Sequence, residues 1–426
     1  MTTPGLILLM SPATYRASAF RTAAERAGLP VVTAWDAPDR VTEQVAGALA
    51  LDFQDPDAAT DRILRWSREH PERPVRGVLA VDDRGAELAV RASAALGLPH
   101  NDPASAVNAR DKWAMRRALE AGGVPVPRYE AVPADTDPAT IANRQAYPVV
   151  VKPTLLSGSR GVIRADDPAE FARAFLRTRR IIERSGMPAA DYPILIEQYL
   201  PGVEVALEGL LTAGRLETLA LFDKPDPLEG PFFEETIYVT PSGLPADIQA
   251  AISANVERSA AAVGLRTGPV HAELRIDRDR GDIWMIELAG RSIGGLCGTI
   301  LEFGTGMTLE EIILRHAAGL DLPSTRRSGA GAGVMMIPIP KGGILRETTG
   351  LDEARAVPGV TGVEITAPCN QPLVPLPEGE SYLGFIFAVG DTADDADRAL
   401  REAHAKLSFR IDPMIPLMRA GTVAAR

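Results

Sequence analysis

Short apolar runs alternate with amphipathic stretches of helical period along almost the whole chain, and this alternation limits the fold more than any other feature. Runs such as "GLILLM" (5–10) and "VRGVLAVDD" (75–83) suit buried parallel strands, and "YRASAFRTAAERAG" between them carries a helical period closed by glycine. Chains patterned in this way form layered α/β structures. At 426 residues the chain exceeds what one core supports, so several domains are expected. No apolar run approaches the roughly 20 residues that span a bilayer. "GLILLM" follows "MTTP" without a basic segment or a small-residue cleavage site, so it reads as a first strand rather than a leader. Two cysteines, Cys297 and Cys369, exclude a disulfide framework or a cysteine-rich zinc site, and the cytoplasm is the expected compartment. A net charge of −11 without a basic, aromatic-interleaved stretch argues against a nucleic-acid partner.

Boundaries follow from changes in pattern. Residues 1–105 read as a small α/β domain; no GxGxxG follows its first strand, so a dinucleotide site has no support there. "SAVNARDKWAMRRALEAGG" (105–123) reads as one helix opening a second unit, 106–202, with strands "YPVVVKP" and "PILIEQYLPG" around the helix "DPAEFARAFLRTRRIIERSG". A third unit, 203–322, holds the strands of 203–225, the helix 245–265, the strand pair "GPVHAELRID" and "DIWMIELAG", and a closing helix at 307–320. "SGAGAG" (328–333) reads as a flexible joint to a compact C-terminal α/β domain, 323–426.

Three stretches carry chemistry. In "VVVKPTLLSGSRGV" (149–162) a strand delivers Lys152 to a loop of small residues holding Ser157, Ser159 and Gly161. Glycines allow close backbone approach to phosphate oxygens, hydroxyls add donors, and the lysine adds a point charge. The pattern is not GxxxxGK[ST], so a P-loop is excluded, and an ordinary glycine turn is the plain alternative. In "ILIEQYLPGVEV" (194–205), Glu197, Tyr199, Leu200 and Glu204 flank a proline–glycine turn that suits an adenine edge and ribose hydroxyls, or a simple hairpin. The third is the hairpin around "RDRG": a register centred near residue 280 sets Glu273 opposite Glu287 on one face, and a one-residue slip separates them. Two facing carboxylates repel unless a cation lies between them, and hard oxygen ligands of this kind suit Mg²⁺. The plain alternative is a solvated face neutralised by Arg275 and Arg291. Only five of the 45 cationic side chains are lysines, so each lysine is worth locating.

In order and spacing these stretches, from "GLPHNDPASAVNARDKWAMRRAL" to "MTLEEIILRHAAG", resemble the ATP-grasp superfamily, and within it the carboxylate–amine ligases of the L-amino-acid ligase type. The resemblance implies an α/β ATP-grasp fold, two α+β subdomains clasping ATP, between a Rossmann-like N-terminal domain and a small C-terminal one. It implies ATP and Mg²⁺ as cofactors, with one or two ions and Mn²⁺ as a substitute, and small-molecule carboxylate and amine substrates. It also implies a homodimer as one assembly, and no membrane partner. Position by position, Lys112 and Lys152 match the nucleotide-binding lysines, the 155–161 loop a lid, Glu197, Tyr199 and Leu200 the adenine hinge, and Glu204 the ribose-binding acid. Glu273 and Glu287 match the magnesium carboxylates, and Arg291 the arginine that contacts the transferred phosphate. Lys224 and Glu235, in "FDKPDPLEGPFFEET", match substrate contacts. His271 can face the site as a base or pack as a structural histidine, and Gly294-Gly295 can shape a substrate cavity or a plain loop. Where many relatives have Glu-x-Asn-x-Arg, this chain reads "ELAGR", with Ala289 in place of the asparagine. The implied activity is amide formation through an acyl phosphate; a bicarbonate-activating carboxylase and a nucleotide-binding relative without turnover are the alternatives.

Overall fold

The computed structural model describes residues 5–12, 14–38, 48–187, 192–278, 280–304, 306–327, 329 and 331–414. Its N-terminal layer is a parallel sheet of β1 (Gly5–Met10), β2 (Val31–Asp36), β3 (Leu49–Leu51) and β4 (Val75–Ala80), in the order β3-β2-β1-β4. Leu6 to Met10 are all buried, which is why β1 reads as an unbroken apolar run: helices cover both faces of a parallel sheet. The chain leaves β1 toward β2 and β3 and returns on the other side as β4. Strand order therefore reverses between β1 and β4, and their carboxyl ends open a crevice at that point. Ser11, Pro12 and residues 14–16 leave one side of it, and Asp82-Asp83 the other.

A second, antiparallel sheet holds β5 (Tyr129–Val132), β6 (Val149–Pro153), β7 (Ile163–Ala165) and β8 (Ile194–Gln198), in the order β5-β8-β6-β7. The helix Pro168–Arg184 buries Phe171, Phe175 and Ile182 against it; Asp167 caps its start by accepting from Glu170 N, with Pro168 at the first position. The single helix expected over 105–121 is in fact two, Ser105–Arg110 and Lys112–Ala121. Asp111 leaves the helical region (φ −91°, ψ 116°), and its carboxylate accepts from Ala114 N at 2.8 Å, so an internal N-cap outweighs the continuous period.

The largest sheet has eight strands. They are β9 (Val203–Thr212), β10 (Arg215–Asp223), β11 (Ile237–Thr240), β12 (Gly268–Asp277), β13 (Asp282–Ala289), β16 (Gly331–Ile337), β18 (Val360–Ile365) and β20 (Gly384–Gly390). They run β13-β12-β9-β10-β11-β16-β20-β18. Small ribbons complete the set: β14 (Glu302–Phe303) with β15 (Met307–Thr308), and β17 (Gly343–Thr349) between β19 (Pro372–Leu373) and β21 (Ser408–Asp412). The division placed at 322/323 is thus not a break in the sheet, because β16 pairs directly with β11. "SGAGAG" is not the expected joint either. Residues 328 and 330 lie outside the described set, but Gly331–Gly333 belong to β16, where a Cβ on Gly331 would meet Thr392 O at 1.9 Å. The small residues there allow the helix Ala393–His404 to start against the strand. Among the described residues no helix is long and apolar enough to cross a membrane.

Candidate active site

A cavity of about 510 Å³ lies where the three sheets meet. The switch-point crevice of the first sheet supplies Ser11, Tyr15, Arg16 and Asp83; the β6–β7 loop supplies Leu155 to Ser159; and β12 and β13 supply the floor. Met336 and Tyr382, from the C-terminal part, close one end.

The floor depends on register. Near the turn β12 and β13 pair regularly (Leu274↔Met285, Ile276↔Ile283), but Glu273 pairs with Glu287, so Ile286 is an extra, bulged residue. In unbroken register Glu287 would lie across from Ala272 and face the other side of the sheet. The bulge turns it onto the face of Glu273. The carbonyl that the bulge removes from the ladder is not orphaned: Ile286 O accepts from Arg116 Nη2 at 2.9 Å.

Three buried ion networks surround the floor. In the first, Arg116 donates to Glu197 at 2.6 Å and Lys152 pairs with the same carboxylate. Burial pulls the Lys152 ammonium down to about 8 against the attraction of Glu197. Glu197 moves the other way: Arg116 and Lys152 overcome its burial and hold it down to about 2. In the second, Lys224 Nζ lies 2.7 Å from Glu204 and 3.6 Å from Glu273, bonds Glu235, and sits 4.8 Å from the centre of the Tyr238 ring. Glu204 also pairs with Arg275 at 3.1 Å. Burial and the neighbouring Glu273 push Glu235 up, whereas Lys224 and His271 hold Glu273 down in spite of its burial. In the third, Glu208 is fully buried, accepts from Ile293 N at 2.9 Å and lies 3.3 Å from His271 Nδ1, while His271 Nε2 lies 3.5 Å from Glu273. Burial disfavours the imidazolium, but the two carboxylates outweigh it and push His271 up to about 9. That shift favours the protonated, donating form of His271 over the base offered as one reading of the sequence.

Lys112 and Arg291 both line the cavity. Lys112 donates through Nζ to Leu156 O at 2.8 Å and lies 3.6 Å from Glu287. Arg291 pairs with Asp83 of the N-terminal sheet at 2.8 Å, and Asp83 raises its pKa despite burial. Gly294 and Gly295 line the cavity beside Tyr15 and Cys297.

The structure thus brings together Lys112, Ser157, Ser159, Glu235, His271, Glu273, Glu287, Arg291, Gly294 and Gly295 around one cavity, with Lys224 one contact behind its wall; Lys152 pairs with Glu197, and neither of those two lines the cavity. Several expectations shift in detail. The Glu197 side chain, expected at an adenine edge, points inward to Arg116 and Lys152; Glu204, expected on an exposed connection, is held by Lys224 and Arg275. Tyr199 lies under the guanidinium of Arg164 at 4.1 Å, and Leu200 is buried with its carbonyl accepting from Arg275. The Gly161 amide, offered for phosphate, donates to Pro377 O at 2.8 Å instead. Sequence reading missed Arg116, Glu208, Asp83 and Tyr15. Two had signals of the same kind as Glu287: Glu208 is a lone acid inside the apolar run "VALEGLL", and Arg116 sits one helical turn after Lys112.

Parts of the chain match known families. Residues 145–300 match the family described as the ATP-grasp domain, residues 21–100 the ATP-grasp N-terminal domain, and residues 335–412 the L-amino acid ligase C-terminal domain 2. These matches give the chain an ATP-grasp domain preceded by an ATP-grasp N-terminal domain. The crystal structure of L-amino acid ligase from Bacillus licheniformis superposes with a TM-score of 0.78 at 26% identity, covering 97% of this chain and 100% of that one. The alanine–anticapsin ligase of Bacillus subtilis is 27% identical over 274 residues, 57% of this chain and 56% of its own length. An uncharacterized protein of Sinorhizobium fredii is 26% identical over 320 residues, 75% of this chain and 65% of its own. The chain thus spans between 56% and 65% of the length of these two curated relatives.

Proposed function

We propose that the chain is an ATP-dependent ligase that joins a carboxylate to an amine, with an L-amino acid among its substrates, and releases ADP and phosphate. The observation that carries this is the bulge at Ile286, which sets Glu273 and Glu287 on one face of the cavity floor, with Arg291 at the end of the same strand. The two carboxylates fit a hard divalent cation, and in the free chain their charge is met by Lys224, His271 and Lys112. Glu273 and Glu287 would hold Mg²⁺, or Mn²⁺ in its place; with Ala289 beside them the strand offers one oxygen fewer to a second ion. When bound, the metal neutralises charge on the nucleotide phosphates.

The places of the chain's own residues support the following roles. Lys112 and Lys152 bracket the base of the 155–161 loop and supply positive charge to a triphosphate beneath it. For Lys152 this requires exchanging Glu197 for phosphate, which its reach as a compact ammonium permits. A substrate carboxylate oxygen attacks the γ-phosphorus, the bond to ADP breaks, and an acyl phosphate forms. Arg291 then binds the phosphoryl oxygens with its planar fork. His271, its two ring nitrogens facing Glu208 and Glu273, orients the Glu273 carboxylate. The loop excludes water, since hydrolysis of the acyl phosphate would waste ATP. The amine, as its free base, attacks the acyl carbon, the carbon–oxygen bond breaks, phosphate leaves with the electron pair, and the departing phosphate takes up the proton that the nitrogen sheds.

ADP release measured across pairs of amino acids and other carboxylates, with hydroxylamine trapping and product mass, tests this. Amino-acid-dependent ADP release with a hydroxamate is expected. Release that depends on bicarbonate instead points to a carboxylase, and tight Mg-ATP binding without release for any pair points to a relative without turnover.

A further inference from the structure

A second cavity, of about 1100 Å³, lies on the far side of the Asp83–Arg291 pair, between the N-terminal sheet and the ends of β9 and β12. Asp82, Asp83, Ala109, Arg110 and Arg291 border both cavities, so the ion pair is the wall between them. The larger space is walled mainly by small and apolar residues, among them Leu79, Ala89, Leu98, Ala106 and Ile313. Its acidic groups, Asp82 and Asp83, stand at that shared wall, and its other charged lining residues are arginines. Asp82 is engaged by Ser11 Oγ at 2.7 Å and by Arg84 N at 3.1 Å. Asp83 is held by Arg291, and its side chain is 42% exposed.

On the nucleotide side, the loop over the first cavity is tied down. Gly161 N donates to Pro377 O at 2.8 Å, Arg160 Nε donates to Glu378 O at 3.0 Å, and Arg177 grips the Glu378 carboxylate at 2.6 and 2.8 Å. A substrate needed only after the acyl phosphate has formed requires an approach that leaves this loop closed.

We infer that the second cavity is the binding site and route of approach of the amine substrate, with Asp83 receiving its ammonium group once Arg291 turns to the acyl phosphate. The inference rests on the ligase reading above. Charge complementarity places a cationic head against Asp83, and the apolar walls accommodate a side chain behind it. Arg110, exposed on the shared wall, faces the carboxylate of an incoming amino acid.

The test separates acyl-phosphate formation from amine capture. Hydroxylamine is small and uncharged at pH 7.5, so its capture needs neither a wide cavity nor an ammonium partner. Ala106→Trp fills the second cavity without touching the first, and Asp83→Asn removes the ammonium partner. With L-alanine and L-phenylalanine as amine probes, the KM for the amine is expected to rise tenfold or more in both variants. Hydroxamate formation by Ala106→Trp should stay within twofold of wild type, which also shows that this variant folds. Amine KM values within twofold of wild type in both variants overturn the inference while leaving the ligase reading intact. A wild-type chain that forms no hydroxamate with any carboxylate overturns the ligase reading, and this inference with it.

Discussion

Replacing Arg116 with methionine removes the centre of the first ion network at nearly constant volume. Arg116 is fully buried; it donates to Glu197 at 2.6 Å and to the bulge carbonyl of Ile286 at 2.9 Å. Removing one partner of a buried ion pair costs about 3–5 kcal/mol, because the other charge stays in a medium that solvates it poorly. Lys152 remains beside Glu197, which places the cost near the lower end, about 3 kcal/mol. Losing the charged donor to Ile286 O belongs within the same figure, since the two contacts share one side chain and do not add. A loss of this size lowers the melting temperature of a unit this large by roughly 6–12 °C. Differential scanning calorimetry of Arg116→Met, Glu197→Gln and the double variant measures both the cost and the coupling. The reasoning is refuted if Arg116→Met melts within about 2 °C of wild type, or if the double variant shows additive losses.

Other expectations concern chemistry and pH. Glu287→Gln should raise the half-saturating Mg²⁺ concentration about tenfold or more, and an unaltered Mg²⁺ titration removes Glu287 from the metal site. Arg291→Ala should leave nucleotide affinity nearly unchanged while product formation falls by about a thousandfold; ligation that survives the change refutes the role given to Arg291. Glu197 has its pKa lowered from 4.5 to about 2, so its contribution to stability is complete above pH 4.5 and is lost as pH falls toward 2. The loss across that window is about 3 kcal/mol in wild type and absent in Glu197→Gln; identical acid limbs in urea denaturation of the two would contradict this.

Much of this was legible because the signals are local. A strand with one acid, a lysine at the end of a β-branched run and a glycine-rich loop each follow from neighbouring residues; Lys152, Glu273, Glu287 and Arg291 stand out from them, whereas Lys112 was singled out by the family resemblance. The split at Asp111 was hidden because an N-cap and a mid-helix aspartate look alike when apolar spacing continues on both sides. The role of Gly331 was hidden for a related reason: a small-residue run reads as a joint unless the backbone it must approach is known.

The sequence by itself determined the α/β layering, the strands that carry the site, and the acids and bases placed on them, because side-chain period and residue chemistry are properties of short segments. It left the facing of Glu273 and Glu287 dependent on register. Tertiary structure decided that through a one-residue bulge whose freed carbonyl is satisfied by Arg116, 170 positions away. It also decided that Asp83 meets Arg291, 208 positions away, and that β16 extends the sheet begun by β9 to β13. These are pairings between distant segments, and a buried charge or an unpaired backbone group selects its partner only once packing has brought the candidates together.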